Sequence, residues 1–194
     1  MQRLAPEEIE KAFEDAGAIL KGHFVLTSGR HTDTYVQCAR VLEDTALTTR
    51  LAQDMAADLG GRDVDLVAAP AVGGIVIGFA VAQSLGVNLI FSEREQETMR
   101  FRRGFGVPAG AKVVVVEDVV TTGGSVREVI DLAEQAGGEV VGVLSLIDRG
   151  GPKSFDAELW PLLRLEVESW DAEECRLCAS GIPTESPGSR HTAD

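Results

Sequence analysis

The stretch VVVVEDVVTTGGS, residues 113–125, decides the fold. Four consecutive valines are apolar on both faces of a strand, which places that strand in a sheet covered on both sides. The strand ends in two carboxylates, Glu117 and Asp118. A short loop follows, Thr121-Thr122-Gly123-Gly124-Ser125, and then a helix begins. In open α/β sheets, ligands sit at the carboxyl ends of the strands. Glycines let backbone amides approach a phosphate, the helix N-terminus adds partial positive charge, and Thr and Ser add hydroxyl donors. A plain strand-to-helix turn with capping residues would draw on the same residue types. Two acids directly before a phosphate cradle fit a ligand that also carries hydroxyls or a divalent metal, as a ribose 5-phosphate does. The string is neither a Walker A loop, which needs Gly-Lys-[Ser/Thr], nor a G-x-G-x-x-G fingerprint.

The flanking sequence repeats this pattern. Val64 to Ala69, Val87 to Phe91 and Val140 to Ile147 are further apolar runs. Helical spacing covers Ile75 to Leu85, closed by Gly86, and Ser125 to Gln135, closed by Gly137-Gly138. Alternating apolar strands and helices predict an α/β fold: an open parallel sheet flanked by helices. Before this region, residues 6–20 read as a helix with Pro6 in its first turn, and Thr45 to Leu59 as a second one. Residues 24–38 are turn-rich and β-like. After it, Leu162 to Val167 reads as a strand that joins the N-terminal lobe. The expected organisation is one domain over 1–182, with a core of about 62–150 and a small hood from about 1–61 and 155–182. Residues 183–194, with Pro183, Pro187 and Gly188, read as a flexible tail.

The formal net charge of −13 argues against nucleic acid and anionic membranes as partners. An anionic substrate would need a local cluster of positive groups or a metal. No run has the length of a transmembrane helix, and MQRLAPEEIEKAF lacks the apolar core of a signal peptide. Three cysteines, Cys38, Cys175 and Cys178, do not read as a disulfide framework, so a cytoplasmic protein with reduced thiols is expected. Cys175-x-x-Cys178 is half of a zinc site by spacing, but the chain has no second cysteine pair. Two subunits could supply four thiolates; two buried structural cysteines are the expectation. His23, His31 and His191 form no recognisable triad or metal pattern.

Residues 113–125 resemble the PRPP-binding signature of type I phosphoribosyltransferases. GHFVLTSGRHTDTYVQ (22–37), APAVGGIVIGFAVAQSLGV (69–87), SEREQETMRFRRGF (92–105) and SLIDRGG (145–151) resemble, in that order, segments of the orotate phosphoribosyltransferases. The resemblance runs from about Ile9 to Ile182. It implies transfer of ribose 5-phosphate from PRPP to orotate, giving orotidine 5′-monophosphate and pyrophosphate, in de novo pyrimidine (UMP) biosynthesis. It implies a PRPP site made by Glu117, Asp118, Val119, Val120, Thr121, Thr122, Gly123, Gly124 and Ser125, joined by Arg94 and Arg100. Thr121, Arg149 and Tyr35 would meet orotate. Glu117, Asp118, Arg94 and Arg103 would be the catalytic set, with Mg²⁺ as cofactor held mainly by substrate oxygens. A homodimer with shared active sites is implied too, because the family's catalytic loop reaches the neighbouring subunit.

The chain departs from the family pattern in three places. Thr27 stands where many members have lysine before Ser-Gly-Arg, and about Gly73 where many have lysine in the pyrophosphate-side loop. The loop at 93–110, expected to be mobile, has Arg94, Arg100, Arg102 and Arg103 in place of lysines and a histidine. Between residues 94 and 103 these four arginines face two glutamates, Glu95 and Glu97, a local positive excess suited to an anionic leaving group. Two other readings share the PRPP loop. A purine phosphoribosyltransferase would lack the Ser28-Gly29-Arg30 segment and the surroundings of Arg149. A PRPP-sensing regulator that binds nucleic acid would need a basic face or an added domain.

Overall fold

The four valines of the central strand belong to two different cores, and the molecule is built around that division. In the computed structural model, which describes residues 3–26, 28–96 and 98–187, they lie in β6 (Lys112–Val120). Side chains alternate across a strand. Val114 and Val116 therefore pack with Leu51, Met55, Ile77 and Val81 on one face. Val113 and Val115 pack with Val126, Val129, Ile130 and Ala133 on the other. The first face is covered by α3 (Thr45–Asp58) and α4 (Gly73–Leu85), the second by α5 (Gly124–Gln135).

The sheet holds six strands in the order β5-β4-β3-β6-β7-β8. β3 is Leu66–Pro70, β4 Asn88–Glu95, β5 Thr98–Phe101, β7 Glu139–Asp148 and β8 Leu159–Arg164. All neighbours are parallel except β4 and β5. The order reverses between β3 and β6, which makes the carboxyl end of β6 a topological switch point. Outside the sheet lie α1 (Pro6–Asp15), α2 (Ala39–Leu42), α6 (Arg176–Ala179) and a hairpin of β1 (Ile19–Val25) and β2 (His31–Val36).

Four expectations need correction. The first helix stops at Asp15, because Ala18 N–H turns back to the Phe13 carbonyl at 2.9 Å and Ile19 already belongs to β1. The late strand begins earlier and joins the main sheet, not the N-terminal lobe. β8 runs parallel to β7 from Val143↔Leu159 to Asp148↔Arg164, burying Leu162 and Leu163. Pro161 is tolerated there because β8 is an edge strand. The stretch expected as a loop over 93–110 is an antiparallel β4–β5 hairpin as far as Phe101, and residues 102–110 form neither strand nor helix. The tail begins later than its composition suggests, since Glu185 N–H donates to the His23 carbonyl and Val25 N–H to the Glu185 carbonyl. Thr27, Glu97, His191 and the rest of the expected tail from residue 188 lie outside the described residues. Among the described residues, no helix is long and apolar enough to cross a membrane.

β7 ends at a buried charge. Asp148 accepts from Gly150 N–H at 2.9 Å, pairs with Lys153 Nζ at 2.7 Å and reaches Arg164 at 3.6 Å. The Asp148 and Lys153 side chains are 5% and 14% exposed, so this pair is shielded from water. Removing one partner of a shielded pair strands the other. Lys153→Met should therefore cost about 3 kcal/mol, measured by urea unfolding, with Arg164 limiting the loss. A change within about 0.5 kcal/mol would mean that the pair holds nothing in place.

Candidate active site at the end of β6

The two acids lie inside the strand rather than at its end. β6 continues to Val120 because β7 runs on beside it, pairing Glu117 with Ser145, Val119 with Ile147 and Val120 with Asp148. Glu117 is buried and Asp118 half-buried. Asp118 N–H donates to Glu117 Oε1 at 3.1 Å, and Val119 N–H to Asp118 Oδ1 at 2.8 Å. Burial pushes the Glu117 carboxyl well above its usual 4.5, and the charge of Asp118 pushes it further.

The loop behind the acids is held on both sides. Arg149 N–H donates to the Val120 carbonyl at 2.9 Å, Ser154 N–H to Thr122 at 2.8 Å and Arg127 N–H to Gly123 at 2.8 Å. Thr121 and Thr122 are exposed, and Ser125 is half-buried. Gly123 has φ +80°, and a side chain there would run into the Phe155 ring, so glycine is required twice over. α5 opens at Gly124 with no side-chain cap. Its first-turn amides are therefore available to a ligand.

Arg149 and Tyr35 come together above this strand end, although 114 positions separate them (149 − 35). Arg149 is half-buried, and its Nε is buried with no hydrogen-bond partner among the described residues. Burial pulls its guanidinium below the usual range, with the Tyr35 hydroxyl acting in the opposite direction. Burial also pushes the Tyr35 phenol up, Asp118 adds to this and Arg149 opposes it. The three side chains thus share one electrostatic environment.

Sequence reasoning missed Cys38 and read Gly73 only as the place of an absent lysine. Cys38 is buried with Sγ 4.0 Å from the Asp118 carbonyl, and burial followed by the Asp118 and Glu117 charges pushes its thiol well up. No sequence signal marks it. Gly73 faces Asp118 directly: a Cβ there would lie 2.6 Å from Oδ2. A side chain at this position would require the Asp118 carboxylate to move.

The arginines are not a free positive cluster. Arg94 pairs with Glu128 of α5 at 2.6 Å and Arg103 with Glu93 at 2.8 Å. Arg100 and Arg102 each lie 3.7 Å from Glu95. The window from 94 to 103 omitted Glu93 and Glu128, which the fold brings back. Arg94 lies against the helix behind the phosphate loop, whereas Arg100 on β5 and Arg102 and Arg103 just beyond it pair with Glu93 and Glu95 of β4. The pairs of Arg100 and Arg102 with Glu95 are exposed and of a kind that is weak and can be exchanged for a ligand anion, whereas Arg94–Glu128 is partly buried.

A phosphoribosyl transferase domain model matches residues 41–174. An orotate phosphoribosyltransferase of Thermoanaerobacter sp. (strain X514) is 45% identical over 95% of this chain and 97% of its own length. One of Heliobacterium modesticaldum is 49% identical over 96% of this chain and its full length. The crystal structure of orotate phosphoribosyltransferase from Aeropyrum pernix superposes with a TM-score of 0.71 at 29% identity, covering 81% of this chain and 94% of that one. The chain belongs to the phosphoribosyltransferase family, and within it to the orotate phosphoribosyltransferases.

The raised pKa of Glu117 has a consequence for stability. Below about pH 4.5 the carboxyl is protonated in both folded and unfolded chains. As pH rises from there, the unfolded chain releases the proton first and the folded state loses stability until its own, higher pKa is passed. Glu117→Gln removes this penalty. The variant should melt several degrees above the parent protein at pH 8, and the gap should shrink toward pH 4. Equal melting temperatures across that range would mean that Glu117 is not confined by burial.

Proposed function

We infer that this chain transfers ribose 5-phosphate from PRPP to orotate, releasing pyrophosphate and forming orotidine 5′-monophosphate in de novo pyrimidine biosynthesis. The observation that carries the reading is the buried, unpartnered Nε of Arg149 beside Tyr35 and Asp118. A half-buried guanidinium without a partner is costly, and a planar carboxylate anion would satisfy it with a forked pair. The strength of the likeness to orotate enzymes, at 45–49% identity over nearly the full length, favours this anion over a purine.

In this proposal the amides and hydroxyls of residues 121–125, entered from Val119 and Val120, hold the 5-phosphate. Glu117 and Asp118 accept hydrogen bonds from the ribose hydroxyls. As the bond from C1 to pyrophosphate breaks and the bond to orotate N1 forms, positive charge grows on the ring, and the two carboxylates offset it. Arg149, Tyr35 and Thr121 orient orotate. Arg94, Arg100 and Arg103 take up the charge of pyrophosphate, exchanging their glutamate partners for it. Water is excluded when the β4–β5 hairpin closes over the site.

Mg²⁺ is the proposed cofactor. Glu117 and Asp118 offer hard oxygen donors, which suits it, and two carboxylates leave most of its coordination to PRPP and water. When bound it would supply charge neutralisation on the leaving group. A homodimer with shared sites belongs to the same proposal. Val72, which caps α4, and Val76 and Phe79 within it are 80%, 49% and 62% exposed and recur at helical spacing, an apolar stripe suited to a second copy of the chain. A cytoplasmic location rests on the cysteine pattern.

The test is loss of orotate absorbance in the presence of PRPP and Mg²⁺. Turnover of adenine or guanine in place of orotate would overturn the assignment. Arg149→Ala should raise the KM for orotate about 30-fold, the equivalent of about 2 kcal/mol, and leave that for PRPP nearly unchanged. Equal losses for both substrates would place Arg149 outside the base pocket.

A further inference from the structure

The half of a zinc motif seen at Cys175-x-x-Cys178 finds its other half in the histidines. His23 lies on β1 and His31 opens β2, while Cys175 precedes α6 and Cys178 lies within it. The fold brings one ligand atom from each of the four to within 4.8 Å of all the others. Cys175 Sγ is 3.4 Å from His23 Nε2, and Cys178 Sγ is 3.7 Å from the same atom and 3.3 Å from His31 Nδ1. His23 Nε2 and His31 Nδ1 are 2.8 Å apart. Tetrahedral Zn²⁺, with bonds of about 2.1 Å to nitrogen and about 2.3 Å to sulfur, separates its ligands by about 3.3–3.8 Å. The sulfur distances already match, and the two nitrogens need to part by about half an ångström.

Three further features point to a ligand rather than to ordinary core packing. His23 Nδ1 lies 2.7 Å from the Ile182 carbonyl, so it carries the proton and leaves the Nε2 lone pair aimed at the cluster. Both histidine backbones are pinned by the same C-terminal segment that carries the thiols. His31 and Trp170 exchange two hydrogen bonds of 2.8 Å, and Glu185 N–H donates to the His23 carbonyl at 2.8 Å. The register of β1 shifts between Lys21 and Phe24, so that His23 and Phe24 are both buried. A bulge re-aims a side chain, and here it turns an imidazole inward beside a second imidazole and two sulfurs.

We propose that His23 Nε2, His31 Nδ1, Cys175 Sγ and Cys178 Sγ form a structural zinc site within one chain. Four protein ligands close a tetrahedral shell and leave no position for a substrate, which makes the role structural rather than catalytic. The metal would fasten the β1–β2 hairpin to residues 170–185, two segments that otherwise meet through backbone bonds and through the exposed ion pairs Arg30–Asp171 and Arg176–Asp33. The inference is independent of the proposed reaction.

The test is metal analysis of tag-free protein purified under reducing conditions from zinc-supplemented cells. About one zinc per chain is expected. Reconstitution with Co²⁺ should give the visible bands of a tetrahedral ion together with a thiolate charge-transfer band. Replacing both Cys175 and Cys178 with serine should abolish metal binding and that band. Should that variant not fold, the parent protein decides: a strong chelator should remove one zinc and lower Tm by about 5 °C or more, with recovery on adding Zn²⁺ but not Mg²⁺. Folded protein with less than about 0.1 zinc per chain would overturn the proposal. So would zinc that persists after both cysteines are replaced, or a melting temperature indifferent to chelation.

Discussion

Two adjacent carboxylates inside a buried strand repel each other and have lost much of their water, and much of this molecule is arranged to hold them there. Glu117 cannot turn outward, because β6 stays paired with β7 as far as Val120. β6 cannot shift, because its valines are divided between the two cores. Gly73 leaves room for the Asp118 carboxylate in its present position, where a Cβ would lie 2.6 Å from Oδ2. The energetic cost of the buried pair is small beside the packing of the sheet, so the fold carries it. Such a pair is unfavourable in the free protein and becomes useful when positive charge develops beside it.

The strand–acid–loop–helix string was legible because each of its parts is local. Valine runs, glycines and hydroxyls act within a few residues of one another, so the start of β6, the phosphate loop and α5 could be read, while the run of β6 on to Val120 depends on its pairing with β7. α3 and α4 were legible for the same reason, through helical spacing and a following glycine. The features that were missed depend on distant partners. β8 was read over 162–167, but its start at Leu159 and its place beside β7 go with the burial of Leu162 and Leu163. The β4–β5 hairpin was read as loop because its residues are polar, and only the pairing of Ser92 with Phe101 and of Glu95 with Thr98 makes it a strand pair.

The two charged clusters teach the same lesson with opposite signs. Counting arginines along the chain overstated the positive charge, because Glu93 and Glu128 come back to Arg103 and Arg94 in space. Counting cysteines along the chain understated the metal-binding potential, because His23 and His31 reach Cys175 and Cys178 across 152 and 147 positions. In both places the local motif was real and its missing partners lay in a segment that no spacing rule could connect.

The central claim is that the acids of β6, the loop at 121–125 and the guanidinium of Arg149 are three parts of one site. A crystal structure with orotidine 5′-monophosphate tests this most directly. The account predicts the phosphate on the amides of residues 121–125, the ribose hydroxyls on Glu117 and Asp118, and the pyrimidine carboxylate within hydrogen-bond reach of Arg149. A nucleotide bound with its phosphate away from that loop, or with its base turned from Arg149, would contradict it.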